Sequence, residues 1–136
     1  MVREAVKVEL LGSNNDGDPV YYTVADGTAI SKGTLLAMSD PRTAAANAAT
    51  YGAIAGIAAM QKVASDGATT IAVWTNGIFE MYASNAITIG SGVCGCAQPN
   101  YVIIASAATV SSGAAILGYA MEAATDGEVV NIRVRL

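Results

Sequence analysis

At 136 residues the chain has the length of one domain, enough to remove roughly two-thirds of its unfolded surface from water. Only 13% of residues are charged and 53% are hydrophobic, with a net charge of −4 and no histidine. Those figures exclude Ser-His-Asp and Cys-His catalysis and a histidine-based zinc site, and seven scattered basic residues leave no patch for nucleic acid.

The apolar content is mostly Ala, Val and Ile, with six Tyr, one Phe and one Trp. Small core residues favour thin, closely packed β layers, and so neutral a surface suits a protein that lies against a partner. No charge occurs between Glu80 and Glu122, yet Gly90, Gly92, Gly95, Pro99 and Asn100 interrupt that stretch before the about 18 continuous apolar residues of a membrane span. Met1-Val2-Arg3-Glu4 has no signal-peptide character, so cytoplasmic synthesis of a soluble chain is expected.

Residues 2–11 alternate, with Val6, Val8 and Leu10 on one parity and Lys7 and Glu9 on the other, which predicts a half-buried strand. Asn14-Asn15-Asp16-Gly17-Asp18 reads as a turn, because no acidic residue stands where a calcium loop needs its glutamate. Val20-Tyr21-Tyr22-Thr23-Val24 is a second strand, and Asp26-Gly27 turns the chain towards another at Thr34-Leu35-Leu36-Ala37-Met38. Asp40-Pro41 resembles a helix start, so residues 43–49 read either as one or two helical turns or as a loop. Residues 54–60 return to β. Asn76-Gly77 between Ile71-Ala72-Val73-Trp74-Thr75 and Ile78-Phe79-Glu80-Met81-Tyr82 predicts a two-residue hairpin. Shorter strands are expected near 92–97, 101–105 and 115–121, and residues 129–136 alternate cleanly.

An internal repeat organises these elements. Ala29-Ile30-Ser31-Lys32-Gly33, Gly56-Ile57-Ala58, Asp66-Gly67 and Ile71-Ala72-Val73 are answered by Ala86-Ile87-Thr88-Ile89-Gly90, Gly118-Tyr119-Ala120, Asp126-Gly127 and Ile132-Arg133-Val134. Two copies are too few for a solenoid. The expected fold is mainly β, a small β-barrel or sandwich with at most one short helix. Residues 1–24 form an N-terminal strand or arm, and residues 25–136 a single β domain with repeats at about 29–82 and 86–136.

Residues with chemical potential are few. Cys94-Gly95-Cys96 lacks the further ligands of a metal site; the two thiols read as buried or interfacial, with a strained disulfide or a metal shared between subunits as the alternatives. Gly90-Ser91-Gly92-Val93-Cys94-Gly95 matches G-x-G-x-x-G, but strand-like Tyr101-Val102-Ile103-Ile104 follows where a dinucleotide site needs a helix, so no cofactor is expected. Trp74 reads as packing or as a binding anchor.

In the order of these landmarks and in its low charge, the chain from about residue 25 to 136 resembles the capsid cement, or head decoration, proteins of tailed bacteriophages. The resemblance implies a non-enzymatic β-barrel or β-tulip protein that binds the major capsid protein on the outside of the expanded head and reinforces it, often as a homotrimer, without nucleic acid, membrane or cofactor. Its place would be the outer capsid surface of the virion. Family members commonly reach the capsid with an N-terminal arm, which makes Arg3, Lys7, Val8 and Leu10 candidate contacts; an ordinary edge strand is the other reading of that segment. A trimer would cover part of the neutral 81–121 surface, with Cys94, Cys96, Tyr101 and Ile103 as candidate interface residues. The alternative function is a virion-associated β module that binds a host ligand such as a glycan, stacking it on Trp74, Tyr82 and Tyr101.

Overall fold

The computed structural model describes residues 3–12, 18–105 and 115–136. The turn expected over residues 14–18 lies outside them except for Asp18. Among the described residues there are eleven strands: β1 (Val6–Leu10), β2 (Val20–Thr23), β3 (Leu35–Asp40), β4 (Thr43–Ala46), β5 (Ile54–Ala58), β6 (Thr70–Trp74), β7 (Asn76–Ala83), β8 (Gly92–Gly95), β9 (Tyr101–Ile104), β10 (Ile116–Ala120) and β11 (Val129–Arg135).

The fold is mainly β, as expected, and consists of two closed five-stranded barrels. In the first, β2 runs parallel to β4, and the circuit closes through β3, β5 and β6. In the second, β7 runs parallel to β9, and β8, β10 and β11 close it in the same order. Strand β1 lies outside both circuits, antiparallel to the first half of β7.

Successive residues of a strand point to opposite faces, and the first barrel uses both. Leu36, Ala55, Ala58 and Val73 join Ile71 and Val24 in its own core. Their chain neighbours Leu35, Ile54, Ile57 and Trp74 belong instead to the core of the second barrel, with Phe79, Met81, Leu117, Val130 and Ile132. All five residues of β5 are therefore buried. A bulge at Ala55-Gly56 lets Ile54 and Ile57 share the outward face, because Leu36 pairs with Gly56 while Ala37 pairs with Ile54.

Three sequence expectations are corrected. Residues 43–46 are strand β4, neither helical turns nor loop. Arg42, at φ 47°, closes a tight turn that returns the alanine run along β3, with Met38 opposite Ala44 and Leu36 opposite Ala46. Alanine's helix preference amounts to a few tenths of a kcal/mol per residue, roughly, and yields to ladder hydrogen bonds and to the burial of Ala44 in the first core.

Asn76-Gly77 forms no hairpin. Strand β6 pairs with β2 and β5, whereas β7 pairs with β1, β9 and β11, so at Thr75 the chain passes from one barrel to the other. Strand β1 exists but is not half-buried. A bulge between Lys7 and Glu9 breaks its alternation, and both faces of the strand are open, with Val6 56% and Val8 50% exposed and Lys7 and Glu9 exposed as well.

Candidate functional site

The predicted contact residues of the N-terminal segment sit on one rim, where β1 bridges the barrels. Ala5 N–H donates to Gly33 O at 2.8 Å in the first barrel, and β1 then pairs with β7 of the second. The Arg3 guanidinium lies 4.6 Å from the centre of the Tyr82 ring, and hydrogen bonding to Tyr82 raises its already high pKa. Tyr82 in turn packs against Tyr101, centroids 5.8 Å apart. Lys7 and Val8 face solvent, whereas Leu10 is half-buried against the second core and ties the strand down. Arg3, Lys7 and Val8 are thus exposed along this segment with Val6, a mixed strip in which Glu4 and exposed Glu9 balance the two cations.

The other predicted cluster is mostly interior. Cys94 and Cys96 are free thiols buried within the chain. Cys94 pairs across strands with Ile103, and burial, followed by the neighbouring Cys96, pushes its pKa up to about 11. Cys96 Sγ lies 3.6 Å from Tyr101 O. Tyr101 and Ile103 are half-buried. Much of the charge-free 81–121 segment is core: Met81, Ile87, Val93, Val102 and Leu117 are all buried.

The three aromatics considered as a ligand platform do not share an exposed face. Trp74 is 8% exposed, stacked at a tilt on Phe79 with centroids 5.6 Å apart, and the Lys32 ammonium lies 5.5 Å from its ring centre. It is a packing residue between the barrels.

Two polar constructions were not foreseen from sequence. Lys62 is 2% exposed, and its Nζ donates to Asp66 Oδ1 at 2.8 Å, Asp26 Oδ1 at 3.2 Å, Asp26 O and Val63 O. The paired repeats held the signal, since Ile30 bridges to Lys62 where Ile87 bridges to Ala124. At the seam, Asn47 Nδ2 of the first barrel donates to Cys96 O, and Asn100 Oδ1 of the second accepts from Leu35 N. Neither asparagine carried a sequence signal, because Asn47 sits in an alanine run and Asn100 follows Pro99 as an ordinary turn residue would.

The model of one family, described as phage cement protein, matches residues 14–136. No curated protein matches. Among solved structures, the crystal structure of the head fiber gp8.5 N base in bacteriophage phi29 is similar in fold, at a TM-score of 0.55 and 17% identity over 85% of this chain and 93% of that one.

Proposed function

The chain belongs to the phage cement protein family, and from that premise we propose that it decorates the outer surface of the expanded phage head, bound to the major capsid protein, and reinforces the shell. At the coarser level it is a capsid-associated structural protein of a phage. The family match is the observation that carries the finer reading. What supports it physically is a rigid double barrel whose exposed large side chains include Val6, Val8, Tyr21 and Ile89. Close-fitting neutral contacts of that kind, repeated over a lattice, reach high avidity from individually weak sites.

On this reading the rim of Arg3, Lys7 and Val8 touches the capsid, and Leu10 anchors the strand that presents it. The working unit is a homotrimer, with Tyr101 and Ile103 near the contact between copies and the interior Cys94 and Cys96 supporting them from behind. The protein performs no catalysis and takes no cofactor; its product is mechanical strength.

Purified protein mixed with expanded, undecorated capsids of its own virus should co-sediment saturably, at a fixed number of copies per capsid subunit. Decorated shells should also survive a higher temperature or lower salt than bare ones. Well-formed expanded shells that bind no protein would overturn the reading.

A further inference from the structure

The two barrels repeat individual hydrogen bonds as well as strand order. Gly33 N–H donates to Ala58 O at 2.9 Å, and Gly90 N–H to Ala120 O at 2.8 Å. Thr34 N–H donates to Ser31 O, and Ser91 N–H to Thr88 O. Ile30 bridges to Lys62 and Ile87 to Ala124. Each barrel therefore presents the same short ledge, centred on a glycine with positive φ, 90° in one and 80° in the other.

What lies on the two ledges differs. The first is covered by the chain's own N-terminal segment: Gly33 is buried, and its O accepts the 2.8 Å hydrogen bond from Ala5 N. A Cβ on Gly33 would stand 2.6 Å from Ala5 O and 2.8 Å from Glu4 Cβ, so the missing side chain is the space in which residues 4–5 lie. On the second ledge Gly90 is exposed, and nothing stands within 4 Å of the place its Cβ would take. Its carbonyl accepts no hydrogen bond among the described residues. Beside it, where the first barrel has Lys32, stands Ile89, 70% exposed and the most exposed of the large apolar side chains described.

We propose that the Ile89-Gly90 ledge is a docking site for an extended segment of the capsid shell protein. That segment lies over Gly90 as residues 4–5 lie over Gly33, donates a backbone N–H to Gly90 O, and covers Ile89 with an apolar side chain. The occupied ledge of the first barrel supplies the template: a small residue above the glycine and extended chain on either side. A second copy of this protein is the poorer occupant, because Ala5 N–H of every copy is already given to its own Gly33. The inference rests on the shell-binding reading above and adds to it a second contact, outside the N-terminal strip.

The test uses the full-length protein and purified expanded capsids. Ile89→Glu should retain the wild-type melting curve, because the side chain is exposed, and should bind shells about tenfold more weakly, the scale of one large apolar side chain no longer buried. Ile89→Leu should bind as the wild type does. A photo-crosslinking amino acid at position 89 should join the protein to one segment of the shell protein on decorated capsids. Wild-type affinity in Ile89→Glu, or crosslinks only to another copy of this chain, would overturn the ledge while leaving the decoration reading intact. Failure of the wild type itself to bind shells would sink both, and the two failures are thereby told apart.

Discussion

Leu35 N–H donates to Asn100 Oδ1 at 2.8 Å, joining two buried residues that lie in different barrels and 65 positions apart. The bond satisfies the first donor of β3 from outside its own sheet. Asn100 also adopts φ 65°, a left-handed conformation that asparagine tolerates better than most residues. It is therefore chosen twice, for its amide and for its backbone.

Two substitutions separate those roles. Asn100→Gly keeps the backbone conformation easy and strands the Leu35 donor, at a cost of about 1–3 kcal/mol for an unsatisfied buried group. Asn100→Ala adds the strain of a left-handed alanine, about 1 kcal/mol more. Denaturant unfolding of both variants, read from midpoints at constant m, should rank wild type above Gly and Gly above Ala. Equal stability of wild type and Asn100→Gly would show that the seam bond contributes nothing.

How far the sequence led depended on whether the constraint was local. Gly56 and Gly118 recur as landmarks because each sits at a bulge where a Cβ would run into the facing strand, at the carbonyl of Trp74 in one barrel and of Arg133 in the other. The alternation of residues 129–136 was legible because β11 has one face inside a single barrel, with Val130, Ile132 and Val134 buried. Asn76-Gly77 misled because turn chemistry alone does not say which strands will pair, and here β6 and β7 were claimed by different barrels. The alanine run misled because its propensity is weak beside the demand of barrel closure. In the candidate site, the apolar parity of Val6 and Val8 suggested burial, yet both faces of β1 are exposed from Val6 to Glu9. Asn47 and Asn100 depend on partners 49 and 65 residues away, and Lys62 joins nearby Asp66 to Asp26 36 residues back; no window along the chain reveals the distant partners.

The Lys62 cluster predicts a pH window. Asp66 lies below its ordinary pKa of 3.8, chiefly through the hydrogen bond from Lys62 and then through Ala68 N–H. Its stabilising contribution is thus complete above pH 3.8 and is lost as pH falls through the folded value. Lys62 lies above its ordinary 10.5, chiefly through the hydrogen bond to Asp66, with burial opposing and Asp26 assisting. Its contribution is complete below pH 10.5 and is lost as pH rises through the folded value. Unfolding midpoints of wild type and Asp66→Asn should differ by a constant amount between those limits and converge in acid. A difference that persists undiminished at pH 2 would show that Asp66 acts through its shape or backbone contacts and not through its charge.

Trp74, the single tryptophan, reports on whether the barrels fold together. It belongs to β6 of the first barrel yet is buried in the core of the second, against Phe79. Leu35, Ile54 and Ile57 cross the same boundary, so neither barrel can lose its structure without exposing apolar surface of the other. Tryptophan fluorescence and far-ultraviolet circular dichroism should therefore trace one coincident unfolding transition. Trp74→Ala should lower stability by about 3–5 kcal/mol, as truncation of a large buried aromatic does, and should bring the barrels closest to separate melting. Two resolved transitions in the wild-type protein would mean that the shared core does not couple them. In that case the seam asparagines and β1, and not the apolar interface, would be what holds one barrel to the other.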